Sequence, residues 1–183
     1  MRKKEDNTEA VTDTEKGTDN ITQSLALPKF TEIPNVGLFL EQVSKYINEY
    51  LSSLGEAELT GSMISNYVKK GIIPNPVKKQ YGREQIAYLI FIAIAKTVLS
   101  LEDINTIILM QKETCSVDKA YEYFRIEFQK VLTAVFDKKE MAACDDDALI
   151  KRLAQNIMIT AAHKIYLDMN FEKIRAQEGS VVV

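Results

Sequence analysis

Few side chains in this protein can hold a metal or carry out nucleophilic chemistry. Its 183 residues include one histidine, His163, and two cysteines, Cys115 and Cys144. The cysteines have 28 residues between them and no CxxC occurs, so no usual metal-ligand spacing can be assembled. The two thiols read as a reduced pair of a cytosolic protein, and His163 as a helix-face residue without a catalytic role. There is no nucleophile–base pair, no glycine-rich phosphate loop and no paired-acid motif, so neither an enzyme nor a cofactor is expected. Seven glycines and four prolines are too few for a protein built of many tight β-turns, which favours a mainly α fold. The apolar run Ile86–Ala95 has ten residues; a membrane span needs about 20, so the run reads as a buried core helix. The first twenty residues are polar, so no signal peptide is expected and the chain is placed in the cytoplasm.

What is present is a soluble composition, 46% hydrophobic and 27% charged, within the usual range for a globular domain. The net charge of −3 argues against a nucleic-acid partner, but its distribution argues the other way. Between Thr60 and Lys96 there are six basic residues, Lys69, Lys70, Lys78, Lys79, Arg83 and Lys96, against one acid, Glu84, a local charge of +5. The rest of the chain carries −8. A positive segment in a negative protein marks either an anion-binding surface or a solvated lysine-rich loop.

Hydrophobic periodicity divides the chain into four parts. Residues 1–26 are polar and read as a disordered tail, with an apolar arm beginning at Leu27-Pro28-Lys29-Phe30. A helix is predicted over Val36–Leu54, ended by Gly55. A short helix follows over Gly61–Lys70, capped by Thr60 and stopped by Gly71, with Pro74 and Pro76 preventing its resumption. Pro74–Tyr81 is then an extended loop or small hairpin. Further helices are predicted over Arg83–Val98 behind Gly82, and over Ser100–Lys112 behind the acidic capping pattern Ser100–Asp103. These elements make a domain over 27–113. A C-terminal helical region over 114–178 holds a helix at Val117–Asp137 and another starting within Asp145–Asp147 and running to about Arg175, with a tail at 179–183. The last two helices read as a hairpin or part of a bundle, and a homodimer seam is expected along Leu149, Leu153, Ile157, Ala161 and Ile165.

The short helix offers Ser62, Ser65, Asn66 and Lys69 on one face, while Ile64 and Val68 anchor the other. Asparagine can form two hydrogen bonds to adenine, and serine can read a base or a phosphate. Lys70, Lys78, Lys79 and Arg83 can neutralise phosphates. A polar helix beside a lysine-bearing loop is what a winged helix-turn-helix presents to duplex DNA.

The runs ISNYVKKGIIPNP, KKQYGREQIAYLI and LSLEDI resemble the DNA-binding unit of the mercury-resistance-regulator (MerR) superfamily. More closely, LTGSMISNYVKKGIIPNPVKKQYGREQIAYLI is similar to the pattern of a bacterial family known as domain of unknown function 1836, with the likeness extending from Leu27 onward. The superfamily resemblance implies a winged helix-turn-helix followed by a helical hairpin or bundle. It places Tyr67 at the second of two aromatics, Gly71–Pro74 at the turn into the wing, Lys79 at its basic position and Tyr81 at its closing aromatic. Ser65, Asn66 and Val68 depart from the superfamily's Arg, Tyr and Glu, and the wing is short, which shifts backbone contact to Lys69, Lys70 and Lys78. The DNA-contacting set implied is Thr60, Ser62, Ser65, Asn66, Tyr67, Lys69, Lys70, Lys78, Lys79, Tyr81 and Arg83.

Double-stranded DNA, bound by a dimeric transcriptional regulator, is therefore the expected partner. A helical protein-interaction module that keeps the scaffold without binding DNA is the alternative. On the effector side, Cys115 lacks the second ligand a metal sensor needs. Tyr121, Tyr123, Phe124 and Phe128 line either a small-molecule pocket or plain core.

Overall fold

The computed structural model describes residues 26–54, 58–140 and 148–179. The elements are β1 (Leu38–Phe39), α1 (Leu40–Leu51), α2 (Gly61–Lys69), β2 (Gln80–Tyr81), α3 (Arg83–Ala95), α4 (Leu101–Thr114), α5 (Val117–Asp137) and α6 (Leu149–Gly179). Single 3-10 turns lie at Phe30–Glu32 and Ser52–Leu54. The expected Gly55 stop, the Asp145–Asp147 helix start, Cys144 and nearly all of the two tails lie outside the described residues. The architecture is mainly α, as the composition predicts.

The Ile86–Ala95 run forms most of α3, and nine residues of that helix are buried. A helix apolar on every side has no face to give to water and must be surrounded. α1, α5 and α6 all pack against it. The core is continuous from Leu27 to Ile165, so the last two helices share it with the rest of the chain.

The helix ends follow local chemistry. The Ser100 hydroxyl accepts from the Asp103 amide at 3.1 Å and caps α4. The Gln85 side chain accepts from the Gly82 amide at 2.8 Å and starts α3. α3 stops at Ala95 rather than Val98 because the backbone tightens: the Thr97 amide bonds to the Ile94 carbonyl and the Val98 amide to the Ala95 carbonyl. The first helix begins at Leu40, not at Val36. Val36 and Phe39 have the spacing of an apolar helix face but are 72% and 51% exposed. The backbone of Leu38 and Phe39 is engaged instead in antiparallel pairing, Leu38 with Tyr81 and Phe39 with Gln80.

The C-terminal helices are not a hairpin. Lys151 lies over the Tyr123 ring at 6.0 Å, and Phe136 meets Tyr166 edge-on at 5.4 Å. Both pairs advance together along the chain, so α5 and α6 run side by side in the same direction, within a bundle. Ile157, Ala161 and Ile165, expected on a subunit seam, are buried inside the chain; Leu149 and Leu153 stay exposed. α6 has 31 residues, or about 46 Å at 1.5 Å per residue. Tyr166 lies level with Phe136, one residue before the end of α5. The remainder of α6 therefore projects beyond its neighbour, exposing Leu167, Phe171 and Ile174.

The apolar arm is docked by two helices, α5 and α3. The Tyr121 hydroxyl donates to the Pro28 carbonyl at 2.8 Å. The Phe30 amide donates to Glu122 at 2.5 Å, and Arg125 grips the other oxygen of that carboxylate at 2.7 Å. Arg83 donates from Nε to the Ile33 carbonyl at 2.8 Å and lies 5.6 Å over the Phe30 ring. Burial works against the charged form of Glu122, but Arg125 and the Phe30 amide outweigh it and hold the carboxyl below its ordinary range. A depressed carboxylate contributes stability that is present above its unfolded value of about 4.5 and is lost as pH falls through its lower folded value. Between pH 5 and 3 the urea midpoint of the wild type should fall more steeply than that of Glu122→Gln. Parallel curves would show that the arm's docking does not depend on this charge.

Candidate nucleic-acid interface

α2 is set in place from both ends. Thr60 Oγ1 accepts from the Met63 amide at 3.3 Å at its start. At its end Gly71 takes φ +71°, the Ile72 amide reaches the Tyr67 carbonyl at 3.0 Å, and the Gly71 amide reaches Val68 at 2.9 Å. This pair of bonds is a Schellman stop, which glycine makes at no steric cost. α1 holds the preceding residue: Asn48 accepts from the Leu59 amide at 2.8 Å, and Ser44 and the Asn48 amide donate to its carbonyl. With Ile64 and Tyr67 buried, the opposite face presents Ser62, Ser65, Asn66 and Lys69 to solvent.

The segment after Pro74 is a two-residue hairpin. The Val77 amide bonds to the Gln80 carbonyl at 3.0 Å, and the Gln80 amide bonds back at 2.9 Å. The two turn residues are Lys78 and Lys79, at φ 50° and 65°. Such turns favour Asn-Gly because both positions are left-handed. Each lysine there costs about 1–2 kcal/mol relative to ordinary backbone. Strain of this kind persists only where its surroundings over-determine it, and it clusters at functional positions.

The surroundings do over-determine it. On one side of the hairpin Gln85 Nε2 donates to the Pro74 carbonyl at 2.9 Å. On the other, β2 pairs with β1. That pairing needs Gly37, where a Cβ would sit 2.7 Å from the Gln80 Cβ. Leu40, one residue past β1, packs on the start of α2: a Cβ at Gly61 would lie 3.2 Å from its side chain. The hairpin therefore rests on Leu38 and Phe39, and the N-terminus of α2 on the next residue, Leu40.

Of the eleven residues implied as contacts, eight are exposed: Thr60, Ser62, Ser65, Asn66, Lys69, Lys70, Lys78 and Lys79. The other three belong to the scaffold. Tyr67 and Tyr81 are 3% and 4% exposed, and burial pushes both phenols up in pKa, which keeps them neutral. Arg83 is committed to the arm, donating also to the Thr31 carbonyl at 3.3 Å. The structure adds Lys45. It is exposed on α1 and shares a shallow groove with Ser62 and Ser65. The sequence signal for it was only its place on the polar side of a periodic helix. Among the described residues no group of three or more His, Cys, Asp or Glu is placed to hold a metal ion, and no helix is long and apolar enough to cross a membrane.

The family described as "Domain of unknown function (DUF1836)" matches residues 28–124. That span contains the arm from Pro28 on, the hairpin, α1 to α4 and the start of α5. No curated protein and no solved structure matches the chain.

Replacing Lys78-Lys79 by Asn-Gly separates strain from charge. The double variant Lys78→Asn, Lys79→Gly should be more stable than the wild type by about 1–3 kcal/mol, because the left-handed turn no longer opposes its residues. Thermal unfolding followed by circular dichroism reads this directly. An unchanged or lowered midpoint would mean that the turn is not left-handed in solution.

Proposed function

The chain belongs to the family described as domain of unknown function DUF1836, whose match spans more than half of it, and from its own geometry we propose a dimeric DNA-binding transcriptional regulator of MerR-like, winged helix-turn-helix type. One observation carries the reading. Two lysines are held at the tip of a hairpin in a conformation that a plain loop would give to Asn-Gly, and the hairpin and the start of an exposed polar helix rest on consecutive residues, Phe39 and Leu40. In this reading α2 enters the major groove with Ser62, Ser65 and Asn66 toward base edges and Lys69 and Lys70 toward phosphates. The hairpin is the wing, and it lays Lys78 and Lys79 on the neighbouring backbone. Lys45 adds a further cation beside the start of α2.

Two copies fit a two-fold operator. The dimer seam in this proposal is the projecting part of α6. Leu167, Phe171 and Ile174 follow four- and three-residue spacing there and are each about half exposed. A helix that extends past its own bundle with an apolar stripe needs another surface to cover it.

Duplexes selected in vitro, followed by a salt titration, test the DNA reading. With about four phosphates neutralised, the slope of log K against log salt should be near −3 to −4. Lys78→Ala with Lys79→Ala should weaken all sequences alike and flatten that slope by about two. Asn66→Ala should instead relax preference at one base position, with a loss of about 1–3 kcal/mol for the selected site. Affinity insensitive to salt and to these changes would sink the proposal. For the dimer, sedimentation should give two copies for the wild type and one for Leu167→Glu with Phe171→Glu. A monomeric wild type at micromolar concentration would remove the seam.

A further inference from the structure

A cavity of about 310 Å³ lies between α3, α4, α5 and the first turns of α6. Its volume is about twice that of an engineered core cavity known to take benzene, enough for roughly twelve non-hydrogen atoms. Phe91 and Phe124, edge-to-face at 5.2 Å, stand in its wall with Ile107 and Ile108. The polar groups within reach are already engaged with one another. The Tyr88 hydroxyl donates to Gln111 Oε1 at 2.9 Å, and Gln111 Nε2 donates to the Cys115 carbonyl at 2.7 Å. The interior therefore offers a ligand hydrocarbon contact and little hydrogen bonding.

The rim carries charge, and one of its cations, Lys151, also lies over the Tyr123 ring. Lys119 and Lys151 line the cavity and are exposed, one at the start of α5 and one at the start of α6. The carboxyl next to Lys119, Asp118, is held below its ordinary range by the Ser116 hydroxyl, by backbone amides of the first turn of α5 and by the Lys119 charge itself. An apolar interior with two cations at its rim is complementary to a molecule with an apolar body and one anionic end. We propose that this cavity binds a small amphipathic carboxylic acid, its hydrocarbon part between Phe91, Phe124 and Ile108 and its carboxylate between Lys119 and Lys151. The proposal stands on the cavity alone and does not depend on DNA binding.

The probes are decanoate and its uncharged counterpart 1-decanol, titrated calorimetrically into the full chain. Decanoate should bind once per chain, roughly three- to tenfold more tightly than decanol, the range expected of a partly solvated ion pair. Lys119→Ala with Lys151→Ala should bring the two probes to parity. Ala154→Phe, which fills the cavity from α6, should abolish binding of both while raising the thermal midpoint. In a Cys144→Ser background decanoate should slow the reaction of Cys115 with a thiol reagent, because Cys115 lines the cavity. If Ala154→Phe does not fold, the lysine pair and the Cys115 protection decide. Absence of binding, equal binding of both probes to the wild type, or binding unchanged by Ala154→Phe would each overturn the proposal.

Discussion

A helix with no polar side governs this structure. α3 buries nine of its residues, so each neighbouring element is placed by the need to cover some part of it. α1 covers one flank and α5 and α6 cover others. Its N-terminus cannot drift, because Gln85 and Arg83 sit in its first turn and bind outward. Gln85 takes the Gly82 amide and the Pro74 carbonyl, and Arg83 takes the arm at Ile33 and Thr31. The most buried helix thus fixes the starting point of the most exposed hairpin.

That arrangement explains how two lysines tolerate the left-handed region. Left alone, a four-residue turn with such residues would relax to a looser loop. Here both of its ends are tied, one to α3 through Gln85 and the other to β1 through the Gln80–Phe39 pair. The core is large enough to absorb a few kcal/mol of local strain. What the strain secures is position: two cations projected from a short, rigid base, with little freedom to lose when they meet an anionic surface.

Much of the helical framework was legible in the sequence because it is written locally. Thr60, Ser100 and Gly71 mark ends through hydrogen bonds made within three to five residues, and the structure uses them so. The exposed face of α2 followed from spacing alone. Apart from the early end of α3, which is a local tightening, the misreadings share one cause, pairing between distant segments. Two-residue strands have no period to detect, so Leu38 and Phe39 read as helix, and nothing near Gly37 announced that Gln80 would pack on it. Arg83 read as a phosphate ligand because charge is visible in a sequence and a partner fifty residues away is not. The seam failed for the same reason. Ile157, Ala161 and Ile165 form a clean stripe, but a stripe does not say whether its partner lies in the same chain.

The charge balance also acquires a reason. A net −3 was at first sight the wrong sign for a DNA-binding protein. Among the basic residues of the +5 segment, however, Arg83 is turned inward, while Lys69, Lys70, Lys78 and Lys79 are all exposed. The −8 of the remainder lies elsewhere in the chain. At physiological ionic strength the Debye length is about 8 Å, so a duplex senses mainly the face nearest to it. In the proposed regulator, the charges that a duplex on the α2 and hairpin side meets first are the exposed lysines there. In the proposed regulator, negative net charge and DNA binding are not in conflict. The first is a sum over the whole chain, and the attraction comes from the exposed Lys69, Lys70, Lys78 and Lys79.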